Sequence, residues 1–374
     1  MKVTTLDSII YKISSNPELV FPFRSNDNET YKESLERRLK KIQKILKEEF
    51  EKSHDDGVLL SKINDLCKSL VSIIDRYLEG HSGVAYKEIE EIFSEDGVVK
   101  NQLRHFISDL DFYNGTNGSL YRVRLSESEL TEKKDMFHIP YNMRHLVKNQ
   151  RYSIAGLPCL YLGSSILVCW EEMDRPDFSK MNISRFNVNT GTSFLNLAYA
   201  FRSVNGTLND QVDNSPYDKK LAKLIFYPIL MACSFKKKHK NAHFVEEYII
   251  PSLLLQWVGS EKSGIDGIAY LSNKTYQGYE HKYGINYVFP PRDFTSDDVS
   301  FCNHLKGKLF LSKPVSWQIL DSYLLNQDNE PHYAYNGVIS DSEKSYFTNY
   351  KMTKFYNCEK KLALRTVSFV DSSD

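Results

Sequence analysis

Around residues 112–118 the spacing of apolar residues changes period, and that change limits the folds open to this chain. Upstream, apolar side chains recur every three or four residues. Leu35, Leu39, Ile42, Ile45, Leu46 and Phe50 form one stripe over 30–52, with Lys and Glu opposite. Thr30 and Glu33 stand at the spacing of a capping box at its start. A second stripe over 58–78 carries Ile63, Leu66, Leu70, Ile73, Ile74 and Tyr77, with Gly80 and Gly83 at its end. Two more helices are expected over 85–94 and 98–111, which makes a helical bundle. Downstream, YNGTNGS (113–119) is a cluster of turn residues, and SLYRVRL (119–125) alternates with period two. Further strands are expected at 159–163, 183–188, 267–272, 285–289 and 308–312, and helices at 165–174, 219–235 and 243–258. Without regular strand–helix–strand alternation this is an α+β chain. A helical N-terminal domain is expected over 1–112, followed by a mixed domain of short strands and helices over 113–374.

Composition narrows the class of protein. Lys plus Arg and Asp plus Glu number 48 each, so no global basic balance points to nucleic acid or to an anionic membrane. The longest apolar stretch, 224–235, is too short to span a bilayer and contains Pro228. The N-terminus lacks the apolar region of a signal peptide. Six cysteines occur with no CxxC pair, which suggests free thiols in a reducing compartment. A cytoplasmic protein without a membrane segment is expected. The histidines show no metal-ligating pattern: His239 and His243 are four apart but lack a carboxylate partner, and no metal is expected. KKKHK (236–240) reads as a solvated basic run at a helix end rather than a nucleic-acid patch.

The segment RYSIAGLPCLYLGSSILVCWEEM (151–173) reads as turn, strand, turn and helix. Gly156 and Pro158 mark the first turn, Ser164 or Ser165 can cap the helix, and Pro176 limits its end. Glu171 and Glu172 fall in its last turn, where the helix dipole disfavours carboxylates. Periodicity alone does not say which of the two faces inward.

Several such pieces follow in order: Tyr121-Arg122 on a strand, Arg144, Arg151 five residues before Gly156, Leu160-Tyr161-Leu162, Glu172 eleven residues after Tyr161, and a GxxYxS strand ending in Ser272. This order resembles the RES domain family, in a variant with a helical, HEPN-like N-terminal domain. The resemblance covers about 120–290 well and the helical region more loosely. It departs at Arg151-Tyr152-Ser153, where many members read Arg-Trp-Asn; the aromatic is kept and the amide is not. The resemblance implies an ADP-ribosyltransferase-like fold and a toxin or phage-defence enzyme that cleaves the nicotinamide–ribose bond of NAD+. Water, phosphate or a protein would be the acceptor, so a glycohydrolase, a phosphorylase and a protein ADP-ribosyltransferase all fit. It also implies control by an antitoxin or by the helical domain acting as a sensor; the chain could self-associate.

These residue types suit that chemistry. Positive charge develops on the ribose as nicotinamide leaves, and a carboxylate there stabilises it; Glu172 is the candidate. Arginine matches a diphosphate better than lysine does, which nominates Arg122 and Arg151, with Arg144 behind them. Tyr161 could stack on nicotinamide, and Ser272 could donate to the ribose or the amide. Each has a plainer account: Arg122 as an exposed strand residue, Tyr161 as core, Ser272 as a strand-end hydroxyl. Two other readings compete. Arg76 and His81 have the spacing of HEPN ribonucleases, although Tyr77 replaces the usual polar residue. A non-enzymatic nucleotide-binding regulator is the other.

Overall fold

The computed structural model describes residues 3–53, 57–94, 96–97, 99–108, 118–198, 216–274, 283–293, 300–325, 350 and 353–370. Its helices are α1 (Val3–Ser14), α2 (Tyr31–Ser53), α3 (Val58–Leu78), α4 (Ser82–Ile92), α5 (Lys100–Leu103), α6 (Ile166–Glu172), α7 (Tyr217–Cys233), α8 (Ile249–Gly259), α9 (Asn303–Lys308), α10 (Trp317–Leu325) and α11 (Lys354–Ala363). The strands are β1 (Ile107–Ser108), β2 (Ser119–Leu125), β3 (Leu160–Gly163), β4 (Met181–Val188), β5 (Phe194–Asn196), β6 (Gly267–Leu271), β7 (Ile285–Phe289), β8 (Leu309–Leu311) and β9 (Val315–Ser316). The chain is α+β, as its two hydrophobic periods imply. It divides into two compact units. One comprises Met1–Ile107, Lys148–Ala155 and Leu195–Gly264; the other comprises Ser108–Val147, Gly156–Phe194 and Ile265–Asp374. The expected boundary at 112–118 falls almost wholly outside the described residues.

The first unit is helical. On α2 and α3 the stripes read from sequence are the buried faces: Leu35, Leu39, Ile42 and Leu46, then Ile63, Leu66, Leu70, Ile73 and Ile74. The capping box closes as its spacing implies. The Thr30 backbone N–H donates to Glu33 Oε2 at 2.8 Å, and the Glu33 N–H donates to Thr30 Oγ1 at 3.2 Å. Later segments complete this core. Trp257 of α8 stacks on Phe93 at 4.1 Å between ring centroids, and Phe226 of α7 stacks on Phe106 at 3.9 Å. The helix expected over 98–111 is shorter. It ends at Leu103, because the chain turns to bury Phe106, whose carbonyl accepts the Asn196 N–H at 2.6 Å. Residues 109–111 of that expectation lie outside the described residues.

The second unit is built on an antiparallel sheet with the order β6-β7-β3-β2-β4-β8, and with β9 also paired to β4. β2 and β4 pair at seven positions, from Ser119↔Asn187 to Leu125↔Met181, whereas β2 meets β3 at Tyr121↔Gly163. One face of β2 and β4 presents Tyr121, Val123, Met181 and Ile183. These pack with Ile166, Leu167 and Trp170 of α6 and with Trp317, Leu320, Phe355, Cys358 and Leu362 of α10 and α11. Strand alternation puts Arg122 and its β4 partner Ser184 on the other face.

Two contacts fix α6 in this unit. At Gly163 a Cβ would stand 2.5 Å from Val168 Cγ1 and 2.7 Å from Cys169 Sγ, so only glycine lets β3 approach the helix this closely. At the helix start, the Ile166 N–H donates to Glu359 Oε1 of α11 at 2.7 Å, and Tyr350 Oη donates to the same oxygen at 2.5 Å. Glu359 is 1% exposed. Burial pushes its carboxyl up to about 8, against the pull of the Tyr350 and Ile166 hydrogen bonds.

Two outcomes follow. Gly163→Ala should lower unfolding stability by on the order of 1–3 kcal/mol in urea denaturation; an unchanged midpoint would mean that α6 is free to shift. For Glu359, the folded carboxyl holds its proton more tightly than the unfolded one. Its contribution is therefore most favourable below the ordinary value of 4.5 and is lost as pH rises toward about 8. Stability followed against pH should show this decline in the wild type, and Glu359→Gln should flatten it.

Candidate active site

Glu172 closes α6, and its carboxylate is gripped from two strands. Ser272, one residue past β6, donates from Oγ to Glu172 Oε1 at 2.6 Å. Asn286 of β7 donates from Nδ2 to the same oxygen at 2.7 Å. Asn286 pairs in register with Tyr270 of β6 and with Gly163 of β3, so the sheet places it beneath the helix end. Lys274 supports the same corner. Its ammonium donates to the Glu172 carbonyl at 2.7 Å and to Asp174 at 2.8 Å, and its backbone N–H donates to Ser272 Oγ at 3.1 Å. A cation on the last carbonyl answers the negative end of the helix dipole, the difficulty that the sequence posed.

Glu171 has a different role. It is 5% exposed and takes a two-point ion pair from Arg175, with Nε at 3.0 Å from Oε2 and Nη2 at 3.2 Å from Oε1. Burial raises its carboxyl, and Arg175 pulls it back. Asp174 and Arg175 both have positive φ, 62° and 56°, which non-glycine residues rarely adopt in succession. The ion pair and the Lys274–Asp174 bridge hold this turn in place. Of the two glutamates that the sequence left open, Glu171 is thus bound to its own helix turn, and Glu172 is the one joined to Ser272.

Arg122 projects from β2. Its Nη1 is enclosed and has no hydrogen-bond partner. The Oγ of Ser184, its cross-strand neighbour, is equally enclosed and unpartnered. Burial first, then the nearby Arg124, lowers the Arg122 guanidinium to about 9. Its field reaches the Tyr161 hydroxyl and the Cys169 thiol, and Cys169 also feels the Glu172 carboxylate. Cys169 thus lies within electrostatic reach both of Arg122, on the opposite face of the sheet, and of Glu172. Burial raises Tyr161 far above its ordinary range, so its ring and hydroxyl stay neutral. The field of Arg122 also reaches His138, which burial lowers to about 4. His138 accepts the Cys302 N–H at Nε2 and is a neutral structural group.

The other two arginines have different surroundings. Arg144 donates to the Gly156 carbonyl at 3.3 Å and lies over the Tyr141 ring at 4.9 Å. Arg151 belongs to the helical unit, where its charge acts on Cys233 and Lys236. Also in that unit, Arg76 and His81 are exposed and both lie against Glu79 Oε2, at 3.3 Å and 3.6 Å. Asn286 and Lys274 went unremarked in the sequence as site residues. The only signals were that Asn286 opens the NYVFP stretch and that Lys274 lies two residues beyond Ser272. Among the described residues no helix is long and apolar enough to cross a membrane, and no group of three His, Cys, Asp or Glu side chains is placed to hold a metal.

Comparison with known proteins finds no matching family model and no matching solved structure. The chain is similar to a curated protein of Bacillus subtilis (strain 168) named "Putative toxin YopC", with 32% identity over 287 residues, 74% of this chain. The aligned part is 63% of that relative, so the chain spans less than two thirds of its length.

The two glutamates should separate in a stability measurement. Glu171→Gln removes one partner of a buried pair and should lower unfolding stability by about 1–2 kcal/mol, the value moderated because Arg175 is partly solvated. Glu172→Gln keeps an acceptor for Ser272 and Asn286 and should stay within about 0.5 kcal/mol of the wild type. Equal losses in thermal or urea unfolding would remove this division of roles.

Proposed function

We propose that the second unit is an NAD+-consuming enzyme that cleaves the bond between nicotinamide and ribose, and that the chain acts as a toxin. The observation that carries this reading is that one unit holds both an enclosed, incompletely bonded cation and a carboxylate fixed by two donors. Arg122 is an enclosed cation with an unpartnered nitrogen beside the unpartnered Ser184 hydroxyl, which suits an anionic group such as a diphosphate. Glu172 is a carboxylate held by two donors on one oxygen. A ribose hydroxyl would bond to its second oxygen. The similarity to a protein named as a toxin supports the biological role, as does the ordered resemblance to RES domains.

In this reading nicotinamide leaves with the electrons of the carbon–nitrogen bond, and the ribose carbon becomes oxocarbenium-like. Glu172 stabilises that charge, and Ser272 and Asn286 keep its carboxylate in one orientation. Tyr161, neutral and half-buried, offers its ring to the departing heterocycle. An acceptor oxygen from water, phosphate or a protein side chain completes the transfer and gives up its proton. Such an activity consumes a cofactor that its host needs, so a protein antitoxin that covers Glu172 is the matching partner. The residues assigned here all belong to the second unit.

The test is to incubate the purified chain with NAD+, with and without inorganic phosphate, and to follow nicotinamide and the adenine-containing product by chromatography. Release is expected, and Glu172→Gln should reduce it by on the order of 10²-fold or more. Arg122→Ala should weaken apparent NAD+ affinity. Release that Glu172→Gln leaves intact, or no release and no NAD+ binding by the wild type, would overturn the proposal. The product's identity names the acceptor.

A further inference from the structure

The catalytic carboxylate proposed above sits at one end of a helix only seven residues long. A helix this short has little stability of its own, so its orientation depends on what holds its two ends. Lys274 and the Asp174–Arg175 turn hold the end that bears Glu172. The other end is held from far along the chain. Ser165 caps it by accepting the Val168 N–H at 3.0 Å, and its hydroxyl donates to the Tyr283 carbonyl at 2.6 Å. The Ile166 N–H would otherwise be a buried donor without an acceptor, and Glu359 of α11 supplies one across 193 residues of sequence. Tyr350 donates to the same Glu359 oxygen. Oε2 of Glu359 is enclosed and has no hydrogen-bond partner.

We propose that Glu359 is a positioning residue for Glu172: through the Ile166 N–H it docks the start of α6 onto α11 and so fixes where the helix delivers its carboxylate. This rests on Glu172 being the reacting group. Glu359 itself touches no substrate. Its chemistry fits a neutral acid, with Oε1 accepting two hydrogen bonds as a carbonyl does and the proton on Oε2. Glutamine reproduces that shape, with an amide carbonyl at Oε1, whereas leucine fills similar space and offers no acceptor.

The experiment compares Glu359→Gln and Glu359→Leu in the full chain by two readouts. In NAD+ turnover, Glu359→Gln should stay within about twofold of the wild-type kcat. Glu359→Leu should lose on the order of tenfold or more in kcat with KM little changed, because an orientation needed in the transition state is lost. In hydrogen exchange followed by mass spectrometry, amides of 166–172 should exchange faster in Glu359→Leu and not in Glu359→Gln. Unchanged kcat and unchanged exchange in the leucine variant would overturn the proposal. So would a glutamine variant as impaired as the leucine one, since hydrogen bonding would then not be the cause. If the wild type neither turns over nor binds NAD+, the NAD+ reading fails, and exchange alone decides whether Glu359 docks α6. Should Glu359→Leu not fold, Glu359→Met replaces it. That variant also lacks a carboxyl or amide acceptor for the Ile166 N–H, and exchange at 166–172 no faster than in the wild type would count against the proposal.

Discussion

One carboxylate oxygen gathers the second unit together. Glu172 Oε1 receives Ser272 from the end of β6 and Asn286 from β7, while the residue bearing it terminates α6. Both bonds are short, at 2.6 and 2.7 Å. Three elements separate in sequence are thereby held in one register. The glycine at 163 is the steric counterpart: without a Cβ there, α6 lies close enough to β3 for its last residue to reach β6 and β7.

How much of this was legible in the sequence depended on the range of each interaction. The stripes on α2 and α3 and the Thr30–Glu33 box are local, and periodicity found them. The helix expected over 98–111 failed because its periodicity is shared with a chain that turns to bury Phe106 against a ring 120 residues later. The two C-terminal helices α10 and α11 were not anticipated, and with them Glu359 was missed. The site shows the same division. Arg122, Tyr161, Glu172 and Ser272 were nominated from an ordered resemblance; periodicity alone left Glu171 and Glu172 level. What separates them is that Arg175, four residues on, claims Glu171, and that Ser272, 100 residues on, meets Glu172. Asn286 and Lys274 carry no local mark, because their roles exist only once β6, β7 and α6 converge.

The order of the arginines also shows where a linear pattern stops being informative. Arg122, Arg144 and Arg151 are successive members of one pattern, yet the fold gives them three situations. Arg122 is enclosed with a nitrogen unsatisfied, Arg144 is spread over a tyrosine ring and a carbonyl, and Arg151 belongs to the helical unit. A guanidinium has five donors in a fixed plane, so its surroundings decide whether it is structural or receptive.

An enclosed, incompletely bonded guanidinium lowers the stability of the fold that contains it, since burial without full hydrogen bonding disfavours the charged form. The lowered value of Arg122, about 9, is that penalty seen as a proton affinity. The buried Glu359 carries a comparable penalty, but it is compensated in part by two hydrogen bonds and by holding its proton. Arginine has no neutral form within reach at neutral pH. Among the described residues, the groups whose fields act on it are another arginine, a thiol and a tyrosine hydroxyl. An anion bound at the enclosed Nη1 would offset that penalty, which is the physical argument for proposing an anionic ligand at Arg122.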